Sequence, residues 1–438
     1  MNERQKAIEI FLAGVERVKP DNLIKRCISI DQNNLQIDNL TFNLAEVKHI
    51  YVVGAGKATA EMARATEDIL GARITGGHIV VKYGHSCDLK YINVTEAGHP
   101  VPDENGFFAT GEILKIAEKA SEDDLVISLL SGGGSALLAD FPEGSSPGDM
   151  IYLNDLLVKS GATIQEMNTI RKHLSKVKGG GLARALFPSA TVSLILSDVL
   201  GDPLDVIASG PTVPDPSTFS EALAIIGRYN IEPSIPSTLM NYLKDGADGN
   251  KAETPKPGDP VFNKSFNILI GNNKIALESA AEKAVRLGFE ALIVDDKLQG
   301  NTLKASEYII EKAISFRNQK RSQKPACLLF GGETTIKVTG VGMGGRNQHL
   351  ALSAAILLRN NTGITILSAG TDGNDGPTDA TGAVVDSDTI NHAFSINIIP
   401  ENYLKDFDSY GFFKKAGGHI ITGPTRTNVM DIVVVLIS

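Results

Sequence analysis

Short runs of β-branched and aliphatic residues alternate with helical patterns along almost the whole chain, and each run feeds a loop bearing Gly or Asp. Ile50 to Val53, Ile79 to Val81, Leu125 to Leu130 and Val192 to Leu196 are the clearest runs. A strand buried on both faces reads as a short continuous apolar stretch, and intervening helices are what connect parallel neighbours. The pattern therefore predicts an α/β fold with a mainly parallel sheet in the first half. Ligands of such sheets gather off the carboxyl ends of the strands, which is where these loops fall.

With 438 residues the chain exceeds one ordinary core, so two domains are expected. Between Ile231 and Asn263 the alternation lapses into Pro233, Pro236, Asp245, Gly246, Gly249, Pro255, Pro257 and Pro260. That composition marks a boundary: an N-terminal domain over 1–235, a Pro/Gly-rich segment over 236–261, and a C-terminal α/β domain with a mixed sheet over 262–438. The second domain restarts with strand Phe266 to Ile270 and helix Lys274 to Leu287, then strand Ala291 to Val294, helix Thr302 to Phe316 and strand Ala326 to Phe330. Strand Thr335 to Val338, helix Asn347 to Leu358, strand Thr365 to Leu367 and strand Asp431 to Leu436 follow, forming a compact module over about 325–435.

Charge and cysteine usage bound the function. A formal net charge of −9 supplies no broad positive field, which argues against nucleic acid or an anionic membrane as partner. An anionic substrate must then meet locally concentrated Lys and Arg. Cys27, Cys87 and Cys327 have no CxxC spacing, so a reducing cytoplasm is expected and neither a disulfide framework nor a zinc site is indicated. The first residues read as an amphipathic helix with Ile8, Phe11, Leu12 and Val15 on its apolar side, unlike a signal peptide, and no apolar run approaches the ~20 residues of a membrane span.

Several loops carry groups suited to phosphate and metal chemistry. Gly54-Ala55-Gly56-Lys57-Ala58 follows a strand and precedes a helix over Thr59 to Leu70. Glycines let a chain approach phosphate closely, and a helix N-terminus offers free N–H groups. It is not a P-loop, which would need Gly at Tyr51 and Ser or Thr at Ala58, nor a full dinucleotide fingerprint, whose third glycine falls at Thr59. A tight βα turn and an anion site are near-equal readings of it, with Lys57 at the turn tipping the balance slightly toward the anion site. Ser131-Gly132-Gly133-Gly134-Ser135 is costlier in conformational entropy, and a nest of N–H groups with two hydroxyls suits phosphate or carboxylate. Asn168, Arg171, Lys172, Ser175 and Lys178 share one face at helical spacing, as a solvated face or an anion-binding one. Ser197-Asp198 closes another strand. Gly344-Gly345-Arg346-Asn347-Gln348 and Gly370-Thr371-Asp372-Gly373-Asn374-Asp375-Gly376 place bare backbone, a guanidinium and carboxylates in two loops, with Asp-Gly turns as the alternative.

In their order along the chain these motifs resemble the glycerate 2-kinase family. The resemblance runs over GAGKA from Gly54, His99-Pro100-Val101-Pro102, SGGGSALL from Ser131, Ile170-Arg171-Lys172-His173-Leu174-Ser175 with Lys178-Gly179-Gly180, LSDV from Leu196, ASGPT from Ala208, GGET from Gly331, GGRNQ from Gly344 and GTDGNDGPTDATGA from Gly370. His349, Gly181, Arg426 and Met430 depart from the family's pattern.

The resemblance implies a Rossmann-like N-terminal domain, a C-terminal MOFRL module, and ATP-dependent phosphorylation of D-glycerate at its C2 hydroxyl with Mg²⁺. In such a scheme Lys57 and Arg346 neutralise the transferring phosphoryl group, Asp372 accepts the hydroxyl proton, and Asp198 organises the metal, with Glu333 and Asp375 as further metal candidates. Gly54, Gly56, the Ser131 to Ser135 loop, Lys178, Gly344 and Gly345 hold the nucleotide. Arg171, Lys172 and Asn347 hold the substrate in an anionic cleft between domains. An NAD(P)H-dependent hydroxypyruvate reductase and a non-catalytic nucleotide or sugar-acid binder are the alternatives, and a homo-oligomer is compatible with the sequence.

Overall fold

Why the apolar runs become parallel strands is visible in their pairing. In the computed structural model, which describes residues 1–319, 324–359 and 361–438, a three-stranded antiparallel sheet comes first: β1 (Ile28–Asp31), β2 (Asn34–Ile37) and β3 (Leu40–Asn43). The main sheet of this part contains β4 (Ile50–Ala55), β5 (Ile74–Lys82), β6 (Asn93–Ala97), β7 (Leu125–Leu130), β8 (Ala190–Leu196) and β9 (Ser265–Gly271) in the order β6-β5-β4-β7-β8-β9. The pairs from β6 through β8 are all parallel. Every residue of β7 is buried, as a central strand with both faces covered requires. Val53, Val126, Leu130 and Ile195 on this sheet meet Ala109, Ile113 and Leu186 from helices in one apolar cluster.

A mixed sheet serves the rest: β10 (Glu290–Asn301), β11 (Ala326–Thr335), β12 (Ile364–Gly370), β13 (Gly382–Asp386), β14 (His419–Ile420) and β15 (Asp431–Ile437), in the order β10-β11-β15-β12-β13-β14. Only β10 and β11 run parallel; the remaining pairs are antiparallel. A two-part α/β chain with a parallel sheet followed by a mixed one is thus what the alternating runs dictate. Among the described residues no helix is long and apolar enough to cross a membrane.

The chain divides differently from the expected limits of 1–235, 236–261 and 262–438. One unit is Leu23–Ile270; the other joins Met1–Asn22 to Gly271–Ser438. Residues 236–261 are not a linker, because the helix Ser237–Ala247 buries Leu239, Met240 and Leu243 in a cluster with Phe219. Thr254 then donates to the buried Asp215. The run Phe266 to Ile270, expected to open the second domain, is instead the β9 edge of the first sheet, held where Asn267 bonds Thr212 at 2.6 and 3.0 Å.

At the other end, the helix Glu3–Arg17 packs against residues from the distant half. It buries Ile10, Phe11 and Val15, each worth roughly 1.5–3 kcal/mol when fully covered. Gly14 lets it approach closely, since a Cβ there would stand 2.9 Å from the Ala276 carbonyl oxygen. Ser279 donates to Ala13 O at 3.1 Å, and Arg4 forks onto Asp386 at 2.6 Å through both nitrogens. Farther on, the expected strand Thr335 to Val338 is absent; pairing of β11 with β10 ends at Thr335 opposite Asn301, and residues 336–338 lie outside any strand.

Candidate active site

Adjacent strands β4, β7 and β8 end side by side, so the loops after them meet. In the Leu23–Ile270 unit these are Gly56-Lys57, Ser131 to Ser135, and Ser197-Asp198. Their contact is tight. Lys57 N donates to Gly132 O at 2.9 Å and Ser131 N to Ala55 O at 3.0 Å. The Ser131 hydroxyl, buried, accepts from Ala58 N and lies 3.1 Å from the Thr59 hydroxyl. Ser131 therefore ties the two loops together rather than offering a hydroxyl to a ligand, unlike the expectation. Gly56 has φ +142° and Gly133 φ +84°, conformations only glycine adopts cheaply. A Cβ on Gly56 would also strike Ser131 Oγ at 2.1 Å. Gly54 serves sheet packing, where a Cβ would stand 2.3 Å from Leu129 O.

Over this stitched backbone the charged groups converge. A Cβ built on Gly132 would lie 1.9 Å from Asp198 Oδ2, and one on Gly133 would lie 3.0 Å from His99 Nε2 and 3.4 Å from Lys57 Cε. Two bare glycines are thus covered by a carboxylate, an imidazole and a lysine stem. Burial, then the nearby Lys57 and Lys82, pushes His99 down to about 4, so the ring is neutral at neutral pH. His99, Gly133, Ser135 and Asp198 open into a cleft of about 370 Å³, which also takes in Asn168, Arg171 and Lys178. Apolar residues including Phe107, Met150 and Met167 form the remaining wall.

The basic stripe of the sequence is split by the fold. Its helix is Ile164–His173, so Ser175 and Lys178 lie beyond the C-terminus, where the Ser175 hydroxyl accepts from Val177 N and Lys178 N. Arg171 faces the cleft; its Nε donates to Asn154 at 2.7 Å, burial lowers its pKa, and among the described residues it has no carboxylate partner. Lys172, expected to hold substrate, does not line this cleft. Its ammonium is buried 3.3 Å from Asp215 and 3.6 Å from Asp205, an internal ion pair. Lys178 donates to Leu138 O and sits 3.8 Å from Asp140, with burial lowering its pKa. Ser135 bonds Ser209 at 2.6 Å, and Ser209 reaches Asn168 at 3.3 Å.

In the other unit the Gly344 to Gln348 and Gly370 to Gly376 loops form a second polar cluster, around a residue the sequence reading missed. Asp431 opens β15 opposite both Gly332 and Gly370. Arg346 forks onto it at 2.6 and 2.9 Å and pairs with Glu333 at 2.8 Å. Burial alone would lower the Arg346 pKa; the bond to Asp431 and the charges of Asp431 and Glu333 more than offset it, and the pKa rises. Its charge is already balanced, so the geometry does not present the open phosphate clamp that was expected. Asp372 Oδ1 accepts from Asn374 N at 3.0 Å, an Asx turn, while its oxygen lies 3.1 Å from a Cβ built on Gly370.

Asp375 is not placed as a metal ligand. Oδ1 accepts from Asn347 N at 3.0 Å and Oδ2 from Gln348 N at 2.8 Å, so the carboxylate caps the helix Arg346–Leu358. The expected substrate contact Asn347 is also internal, with its side chain held by Ser368 at 2.7 Å. Gly345 is bare to admit this cap: a Cβ would stand 2.2 Å from Asp375 Oδ1. On Gly344 a Cβ would meet Ser409 Oγ at 2.1 Å, so both glycines are consumed by packing rather than left open for phosphate.

Burial raises Asp375 to about 6 despite the N–H groups that favour its anion. An ordinary aspartate titrates near 3.9, so between about pH 4 and 6 the folded chain holds a proton the unfolded chain has released. The stability contributed is full below pH 4 and is lost as pH rises through 6. Urea unfolding of wild type and Asp375→Asn over pH 4 to 6.5 is expected to show the wild-type advantage shrinking by on the order of 2 kcal/mol. A constant difference across that range would refute the buried-carboxylate reading.

Comparison with known proteins places this geometry among relatives. Residues 6–244 match the family model described as a domain of unknown function, DUF4147, and residues 326–431 match the MOFRL family. A D-glycerate 2-kinase of Thermotoga maritima is 44% identical over 434 residues, covering 98% of this chain and 97% of its own. A putative hydroxypyruvate reductase of Agrobacterium vitis is 42% identical over 389 residues, 88% of this chain and 86% of its own. The crystal structure of a glycerate kinase from Thermotoga maritima superposes with a TM-score of 0.88 at 41% identity, covering 99% of each chain.

Proposed function

We propose, from the premise that this chain belongs to the glycerate 2-kinase family, that it transfers the γ-phosphoryl group of ATP to the C2 hydroxyl of D-glycerate, giving 2-phosphoglycerate and ADP. The observation that carries this reading is the convergence of Lys57, His99 and Asp198 on the bare glycines 132 and 133 at the ends of three parallel strands. Phosphoryl transfer asks a protein to position two anions and neutralise the charge on the oxygens between them. In a chain of net charge −9, this cleft gathers Arg171 and Lys178, with the Lys57 stem beside its Gly133, where anions would otherwise be repelled.

The residues divide the work by chemistry. Lys57, which makes no ion pair among the described residues, neutralises phosphate oxygens at the glycine loop. Arg171 has a planar fork without a carboxylate and suits the glycerate carboxylate, which accepts two parallel N–H bonds. His99, neutral, donates or accepts a hydrogen bond without adding charge.

The donor set is compatible with Mg²⁺ in a limited way. Among the described residues no group of three His, Cys, Asp or Glu side chains gathers, but Mg²⁺ keeps several waters and is held in kinase sites by one or two carboxylates with substrate phosphates. Asp198, against the glycine loop and lining the cleft, is the carboxylate that fits; Asp375 is spent as a cap and Glu333 on Arg346. When bound, the ion would offset phosphate charge.

The name of the Agrobacterium relative keeps a reductase as the second reading. Against it stands the loop after β4, where Thr59 occupies the place of the third fingerprint glycine and its hydroxyl is tied to Ser131. Incubating the protein with D-glycerate, ATP and Mg²⁺ and coupling product to enolase reads 2-phosphoglycerate directly. Enolase-dependent signal is expected; NADH oxidation with hydroxypyruvate in its place would establish the reductase.

A further inference from the structure

The helix Ile164–His173 and the turn after it separate two concavities of the Leu23–Ile270 unit. Arg171 faces the cleft described above, whereas Lys172 and His173 face a second one of about 420 Å³. Lys176, Lys178, Arg184 and Lys251 complete its cationic lining, against Glu118 as the lining carboxylate.

Sorting these cations by what already answers them leaves a surplus. Lys172 is matched by Asp215 and Asp205, and Lys178 by Leu138 O and Asp140. The side-chain cations of Lys176, Arg184 and Lys251 make no ion pair among the described residues, although the Lys176 backbone N–H donates to Asp140 Oδ2. Arg184 Nη2 donates to the Glu253 backbone carbonyl at 2.7 Å, which leaves the rest of its fork available. The Lys251 ammonium stands over the Tyr242 ring, 5.4 Å from its centroid, and Lys176 is exposed. Lysines scattered on a convex face are solvated and need no ligand; here three unanswered cations share one concavity of a strongly acidic chain. A guanidinium fork flanked by two ammonium groups matches a phosphoryl dianion, and Tyr242 with Pro255 supplies an apolar wall for an organic remainder.

We propose that this second cleft binds a small phosphorylated anion at a site distinct from the reaction cleft. The inference does not depend on the kinase reading, because none of Lys176, Arg184 and Lys251 lines the first cleft.

Calorimetric titration of the full chain with inorganic pyrophosphate, without divalent metal, tests it. Saturable binding is expected that weakens at least tenfold in the double variant Lys176→Gln, Lys251→Gln and persists in Lys57→Ala. Lys176→Glu alone serves as a further variant, since an exposed position makes folding no obstacle, and it should weaken binding as well. Binding that survives all Lys176 and Lys251 changes but is lost with Lys57→Ala would assign the anion to the reaction cleft and overturn the proposal, as would no saturable binding to the wild-type chain.

Discussion

Lys57→Ala is expected to lower kcat for glycerate phosphorylation by about 10²–10³-fold, the range found when one preorganised donor to a developing anion is removed. The thermal midpoint should stay within about 2 °C of wild type. That separation follows from where the residue's contacts lie. Its backbone does the structural work, with N bonded to Gly132 O and its carbonyl near His85 Nδ1, and alanine keeps both. The side chain runs past Gly133 and makes no ion pair among the described residues, so truncation removes charge from the cleft without orphaning a carboxylate. Steady-state kinetics in the enolase-coupled assay, alongside a melting curve, checks both halves. Turnover near wild type would take Lys57 out of the chemistry.

Gly132→Ala should be nearly as damaging to activity and similarly mild for the fold. The three atoms nearest its new Cβ, at 1.9, 2.4 and 2.8 Å, all belong to the Asp198 carboxylate, and Gly132 has no positive φ to strain. A short side chain facing a cleft can swing away, so the methyl is accommodated by evicting Asp198. If Asp198 matters where it stands, kcat falls at least tenfold, and Asp198→Asn reproduces much of the loss without steric change. Full activity in Gly132→Ala would show that the carboxylate's position against the glycine loop is irrelevant.

Legibility of this fold in sequence follows the range of the forces involved. Parallel strands and their loops were readable because burial on both faces writes a local apolar run, as in β7. The position of Asp198 and the Ser131 to Ser135 loop at strand ends came with them. Long-range pairing leaves no such trace. Nothing local says that Glu3–Arg17 packs with residues beyond Gly271, or that β9 adds to the first sheet. The same limit explains Asp431, one carboxylate opening an apolar strand, whose meaning depends on Arg346 arriving from a distant loop.

Gly344 and Gly345 carry a related lesson: a bare backbone is needed wherever something comes close, and here the close neighbours are Ser409 and Asp375. Lys172 is misread for the complementary reason. Helical spacing puts it beside Arg171 in a polar stripe, yet the buried Asp215 that claims it lies far away in sequence. The cleft's His99 stood out in the sequence only as part of the His99-Pro100-Val101-Pro102 motif, and the glycine loop beneath it gives it a place in the site.

The helix at the start of the chain also shapes how the protein is made. Leu23–Ile270 is continuous, so it can acquire all of its own contacts while synthesis proceeds. The helix Glu3–Arg17 cannot: the carboxylate that clasps Arg4 is Asp386, 382 residues later, and it emerges from the ribosome only after the whole Leu23–Ile270 unit has been made. Synthesised before that unit, it finds its native surroundings only after the unit is complete. Until then its apolar stripe is nascent-chain surface of the kind that chaperones shield.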